Sequence, residues 1–227
     1  MDALRSRLAA VDERIAAAAR AAGRDPSSIT RIVVTKFHPA SLIADLHRLG
    51  VRDVGENRQQ ELTAKTAQLV GLTDLRWHFI GQAQTKKARA IRSAAAVVHS
   101  VDRARLAEAL EAAAAGEDIL DVLLQVNLTD DPGRGGVAPL DLERLAEYVA
   151  GCRTLRVRGV MAVAPLGEPA ASAFARLAGY AERVRSIVPD ADWVSAGMTA
   201  DFAEAIQAGA THLRIGSAIT GSRPVRN

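Results

Sequence analysis

Apolar positions along this chain recur with two periods. Over residues 2–22, Leu4, Leu8, Val11 and Ile15 return at intervals of three and four, the spacing of one helix face, and Gly23 and Pro26 end the pattern. After that the chain alternates. Short runs rich in β-branched residues, Ile32–Thr35, Val51–Val54, Trp77–Ile80, Ala96–Val101, Ile119–Val126, Leu155–Val160, Trp193–Ser195 and His212–Ile215, read as strands. Helical stretches fall between them near 40–49, 57–70, 84–93, 103–115, 139–149, 170–187 and 200–208. Strands alternating with helices imply right-handed βαβ units and a parallel sheet. Eight strands in this order predict a single parallel (β/α)8 TIM-type barrel over residues 1–227, with helix 2–22 as an extra N-terminal element. The competing arrangement is an open doubly wound sheet. Trp77 and Trp193, inside strands, are expected in the core.

Composition fits this reading and removes others. The 227 residues are 48% hydrophobic but only 4% aromatic, enough aliphatic matter for a large core without disulfide or metal staples. A single cysteine, Cys152, allows no disulfide framework and points to a reducing, cytoplasmic setting. No apolar stretch reaches the ~18 residues of a membrane span. Charges at Arg5, Arg7, Asp12, Glu13 and Arg14 break any apolar signal region, so no leader is expected. The net charge of +3 is spread along the chain rather than gathered in a stripe, which argues against a nucleic-acid partner. The basic positions 86, 87, 89 and 92 read as a solvated helix face. The five histidines show no ligand spacing with Cys152 or a carboxylate pair, so no metal is expected. No exposed apolar helix face stands out, and a monomer is expected.

In a parallel barrel, chemistry gathers on the loops after the strands. Those loops carry Lys36, then Gly55-Glu56-Asn57, Gly81 and Gln82, Asp102, Asn127, Met161-Ala162, Ser195 to Thr199, and Arg214-Ile215-Gly216-Ser217, with His78 inside the third strand. Lys36 directly follows an apolar run. Partial enclosure disfavours an ammonium, and a neutral amine can attack a carbonyl to form a Schiff base. A lysine that merely snorkels at the rim is the plainer reading. The loops after strands 7 and 8 of such barrels frequently bind phosphate. Glycines there let backbone N–H groups approach an anion, and Thr199 and Ser217 add hydroxyls. Thr199 is also expected to cap helix 200–208 and aim its positive end at the anion. A phosphate site beside an imine-forming lysine admits two ligand classes: pyridoxal 5′-phosphate, or a sugar phosphate as in a Schiff-base aldolase.

Several motifs then stand in order: Val34-Thr35-Lys36 with Pro39, Gly55-Glu56-Asn57, Trp77-His78-Phe79-Ile80-Gly81, Gln125-Val126-Asn127, Gly159-Val160-Met161-Ala162, Ser195-Ala196-Gly197-Met198 and Arg214-Ile215-Gly216-Ser217. From about residue 31 to 221 the chain resembles the pyridoxal phosphate homeostasis proteins, a family similar to the barrel domain of bacterial alanine racemases. The resemblance implies that Lys36 carries the cofactor as an aldimine and that Arg214 meets the pyridine nitrogen. It implies phosphate contacts from Met198, Thr199, Gly216 and Ser217, and places Asn57, His78, Met161 and Ser195 around the cofactor. It implies buffering or delivery of pyridoxal phosphate, possible transfer to apo-enzymes, and little or no catalysis. Weak amino-acid racemisation or a Schiff-base aldolase is the alternative.

This sequence departs from the family pattern twice. Thr199 stands where a serine is usual, which keeps the hydroxyl. Asp131-Pro132 and Arg134 replace a Glu and a Lys in the loop after the fifth strand, and no site residue is carried over from that loop. Racemisation needs a second acid/base on the opposite face, a tyrosine from an added domain in the racemases. A chain ending at Asn227 is expected to have no room for that domain. Its two tyrosines, Tyr148 and Tyr180, fall within expected helices.

Overall fold

The computed structural model describes residues 1–222. The chain opens with α1 (Asp2–Ala21) and then runs β1 (Thr30–Val34), α2 (Ala40–Arg48), β2 (Asp53–Glu56), α3 (Gln59–Gln68) and β3 (Arg76–Phe79). It continues with α4 (Ala88–Arg92), β4 (Val97–Val101), α5 (Ala104–Ala112), β5 (Leu120–Gln125), α6 (Leu142–Ala150) and β6 (Leu155–Met161). It ends with α7 (Ala170–Ile187), β7 (Trp193–Ser195), α8 (Phe202–Gln207), β8 (His212–Ile215) and a single turn, α9 (Ser217–Thr220). The eight strands close into a parallel barrel in sequence order. Closure is made where Thr30, Arg31, Ile32 and Val33 of β1 register with His212, Leu213, Arg214 and Ile215 of β8. The barrel, not the open sheet, is the fold.

The strands are buried along most of their length because the barrel interior covers one face and the helices cover the other. In β4 all five residues, Val97 to Val101, are buried, including His99 and Ser100. The helices bury one stripe each. In α1 that stripe is Leu4, Leu8, Val11, Ile15 and Ala19, the spacing read from the sequence plus one further turn. α1 packs on α8 and α9. Arg7 Nε donates to the Ile219 carbonyl at 2.7 Å, tying the extra helix to the turn that follows β8.

Four local expectations are corrected. The second strand is Asp53–Glu56, not Val51–Val54, so Glu56 is the last residue of a strand rather than a loop residue. Its carboxylate is tolerated there because Lys65 reaches it from α3. The helix after β7 begins at Phe202, so Thr199 does not cap it. Asp201 instead turns its carboxylate back to accept from the Met198 N–H at 2.6 Å, which holds residues 198–201 in a turn and delays the helix. Arg92 is not simply solvated, since its guanidinium donates to the carbonyls of Leu110, Asp118 and Thr154. Trp77 is in the core as expected, while Trp193 is half-buried, with Arg158 lying 4.5 Å over its ring.

Candidate functional site

A cavity of about 480 Å³ opens at the C-terminal ends of the strands, where a parallel barrel collects its chemistry. A hollow of about 690 Å³ beside the 129–136 loop is larger and carries Arg134, Arg176, Thr129 and Tyr180, but no lysine amine. Chemistry rather than size therefore selects the site. Lys36, Phe37 and His38 enter the wall after β1, Asn57 after β2, and Ile80 and Gly81 after β3. Met198 and Thr199 enter after β7, Arg214 from β8 itself, and Gly216 and Ser217 after it. Seven of the ten expected site residues, Lys36, Asn57, Met198, Thr199, Arg214, Gly216 and Ser217, thus share one wall.

The other three, His78, Met161 and Ser195, do not line the cavity. They belong to strands whose alternate side chains point into the barrel, so they lie beneath its floor. Met161 packs with Val97 and Leu123 in an interior layer. His78 is fully buried and bonds to Asp53 and His99, and Ser195 bonds to His99 and Arg214. The resemblance puts His78 and Met161 around a ligand; in the structure His78 connects to Arg214 through His99 and Ser195, and Met161 is not among the residues of the cavity wall.

Lys36 sits half-buried on a tight turn whose next residue, Phe37, has a φ of +68°, a region that non-glycine residues rarely enter. The surroundings that hold this turn were not foreseen. The Phe37 N–H donates to Glu61 Oε2 at 2.7 Å, and Lys65 Nζ donates to the Thr35 carbonyl at 2.9 Å. Lys65 also bonds Glu56 Oε1 at 2.6 Å and Glu61 Oε2 at 3.2 Å, while Thr35 Oγ1 donates to the same Glu56 oxygen at 2.6 Å. Burial pushes the Glu56 carboxyl up, against Lys65 and Thr35, which favour its charged form. Burial also pushes on Glu61, but the Phe37 N–H, Lys65 and Arg58 together outweigh it and hold that carboxyl below its ordinary range. The i, i+4 pair Glu61–Lys65 was the available sequence signal, but only tertiary packing turns it toward Lys36.

Asn57 is held against the wall by backbone packing. A Cβ at Gly81 would lie 2.0 Å from the Asn57 carbonyl oxygen, so only glycine lets the two loops meet. Asn57 Oδ1 is buried without a hydrogen-bond partner among the described residues. An unpaired buried acceptor in a cavity wall is a place for a ligand donor. Gly197, with φ +90°, turns the chain after β7 and presents Met198 and Thr199. The Arg214 guanidinium is buried, and this pulls it down to about 10, which leaves it a cation at neutral pH. Its Nη2 donates to the Ala162 carbonyl at 2.9 Å and its Nη1 to Ser195 Oγ at 2.7 Å. His38 is pulled below its ordinary value by burial and then by Lys65.

The 129–136 loop, expected to be irregular, is organised by Asn127. Its Oδ1 accepts from Thr129 and its Nδ2 donates to the Asp131 carbonyl, while the chain rejoins the barrel through a Val126–Val137 bridge. Among the described residues no group of three or more His, Cys, Asp or Glu is placed to hold a metal, and no helix is long and apolar enough to cross a membrane.

Residues 6–224 match the family described as alanine racemase, N-terminal domain. The pyridoxal phosphate homeostasis protein of Pseudomonas aeruginosa is 42% identical over 228 residues, covering 98% of this chain and 97% of that one. The structures of PipY from Synechococcus elongatus superpose with TM-scores of 0.86 without pyridoxal phosphate and 0.84 with it bound. They are 35% and 34% identical, each covering 96% of this chain and 100% of PipY. By this extent of similarity, the chain belongs to the family of pyridoxal phosphate homeostasis proteins.

Proposed function

We propose that this protein binds pyridoxal 5′-phosphate in the cavity at Lys36 and holds it for release rather than using it for turnover. When bound, the cofactor supplies an aldehyde that condenses with a lysine amine, an anionic phosphate and a basic ring nitrogen. One observation carries the reading: a single cavity wall holds a lysine amine, a guanidinium and hydroxyls on glycine-containing turns. Lys36 supplies the amine. Thr199, Gly216 and Ser217 supply donors for the phosphate, with Met198 in the same turn. Arg214, a cation that can only donate, faces the ring nitrogen. Asn57, whose Oδ1 has no partner, lies against the same space. The fit is supported by PipY, a relative whose structure has been solved with pyridoxal phosphate bound.

The same residues favour holding over turnover, although an arginine at the ring nitrogen does not by itself forbid racemisation. A ring nitrogen that receives a hydrogen bond rather than a proton is a poor electron sink, and Arg214 cannot give its proton away. Racemisation further needs an acid/base on each face. Among the described residues no tyrosine lines the cavity: Tyr148 is exposed on α6, and Tyr180 of α7 lines the separate hollow beside the 129–136 loop. We place the protein in the reducing cell interior, as a monomer, with apo-enzymes as recipients. The half-buried single thiol of Cys152 is consistent with that compartment.

The test is to mix purified protein with pyridoxal phosphate, remove free cofactor by gel filtration, and offer the product to an apo-enzyme and, separately, to L-alanine. A retained visible band, activation of the apo-enzyme and unracemised alanine are expected. A colourless protein contradicts the binding reading, and rapid racemisation contradicts the holding role.

A further inference from the structure

The buried polar groups that the proposed function leaves unused are gathered inside the barrel. Asp53 Oδ1 lies 2.9 Å from His78 Nε2, and His78 Nδ1 lies 2.9 Å from His99 Nε2. His99 Nδ1 lies 3.0 Å from Ser195 Oγ, which is 2.7 Å from Arg214 Nη1. His78, His99 and Ser195 are fully buried, and the Asp53 side chain is 21% exposed. An unbroken run therefore crosses the barrel from Asp53 at the start of β2 to Arg214 in the cavity wall.

Every link in this run has an assignable direction. Arginine carries only donors, so Ser195 Oγ accepts from Nη1 and its own O–H is left to donate. Its other partner is His99 Nδ1, which takes that hydrogen as a bare nitrogen, the assignment that the Asp53 carboxylate at the far end requires. A neutral imidazole has one donor and one acceptor, so the hydrogen of His99 is on Nε2 and is given to His78 Nδ1. The hydrogen of His78 is therefore on Nε2 and is given to Asp53, an ionised carboxylate that can only accept. The opposite direction would turn a bare His78 Nε2 toward the Asp53 carboxylate, two acceptors face to face. In this direction a second proton on His78 would set its Nδ1–H against the His99 Nε2–H.

The electrostatics agree independently. Burial holds His99 well below its ordinary value, with His78, Arg214 and His212 adding to the effect, and burial likewise lowers His78. Burial pushes Asp53 up, but His78, Arg76 and His212 outweigh it and keep it ionised.

We infer that Asp53, His78, His99 and Ser195 are positioning residues, a one-way hydrogen-bonded relay that fixes Arg214 as a donor to the ligand in the cavity. With Nη1 engaged by Ser195 and Nη2 by Ala162, the guanidinium plane is held at two points, and its remaining N–H groups are left to meet a ligand. Ser195 is then no ligand donor, because its hydrogen is committed to His99.

The relay rests on the proposed cofactor site only at its Arg214 end, so the first reading is taken on the unliganded wild-type protein. Long-range ¹⁵N NMR of histidine-labelled protein at neutral pH is expected to show both His78 and His99 with hydrogen on Nε2 and a bare Nδ1. A hydrogen on Nδ1 of either ring, or a charged ring, overturns the relay. The second reading uses protein loaded with pyridoxal phosphate. Ser195→Ala is expected to release the cofactor about tenfold faster, as for one lost hydrogen bond to a charged group, and to shift the visible band. Ser195→Thr, which keeps the hydroxyl, should stay close to wild type. Unchanged release and an unchanged band in a folded Ser195→Ala protein overturn the positioning role. Wild type that takes up no cofactor contradicts the proposed function, while the tautomers still decide the relay.

Discussion

The carbonyl of Thr35, the residue before Lys36, accepts a hydrogen bond of 2.9 Å from Nζ of Lys65. Lys65 thus joins the start of the Lys36 turn to the carboxylates of Glu56 and Glu61. Replacing Lys65 by Met leaves the Glu56 charge buried without its cation. Loss of one partner of a buried pair costs about 3–5 kcal/mol, whereas removing both is much milder. Urea unfolding is expected to show that loss for Lys65→Met and to return most of it for Lys65→Met combined with Glu56→Gln. A single variant as stable as wild type would mean that the cluster does not hold the turn.

The buried imidazoles make a prediction about acid. Burial holds His78 and His99 below their ordinary value and takes His212 down to about 3. In the unfolded chain each titrates at about 6.5. Below that value the unfolded chain binds protons that the folded chain refuses, so stability falls as pH falls. The slope is at most about 1.4 kcal/mol per pH unit for each ring, and for His212 it persists down to its folded value. Above about pH 6.5 the rings contribute no pH dependence. Denaturation midpoints measured from pH 7.5 to 5 should be level at the top and decline below 6.5. A flat profile down to pH 5 would contradict neutral rings in the barrel.

The barrel was legible in the hydrophobic pattern because the strands fall on short runs rich in apolar residues and each helix bears one stripe. All eight strands and α1 stand within a few residues of their expected places. The errors fall where a charged or polar residue is paid for by a distant partner. Glu56 looked like a loop residue because Lys65, on the next helix, is invisible to a local reading. Thr199 looked like a helix cap, but Asp201 bonds back to Met198 and moves the start. The wall of the cavity followed from the rule that loops after strands carry the chemistry. What lies beneath it did not, since Asp53, His78, His99 and Ser195 come from four strands and only barrel closure brings them together.

The phosphate end of the site can be probed by removing one hydroxyl at a time. Ser217 is exposed at the mouth and Thr199 half-buried, and neither is part of the core. Ser217→Ala and Thr199→Ala are expected to leave stability within about 0.5 kcal/mol of wild type. Each should weaken pyridoxal phosphate binding roughly tenfold, the value of one hydrogen bond to a charged group. Equilibrium dialysis checks this. Unchanged affinity in both variants would move the phosphate away from this turn.

The central claim is that Lys36 is the amine that holds the cofactor. Protein mixed with pyridoxal phosphate and reduced with borohydride, digested and analysed by mass spectrometry, tests it most directly. The account predicts a covalent adduct on the peptide containing Lys36 and none in Lys36→Ala protein treated in the same way. An adduct on a different lysine, or none in wild type, would contradict it.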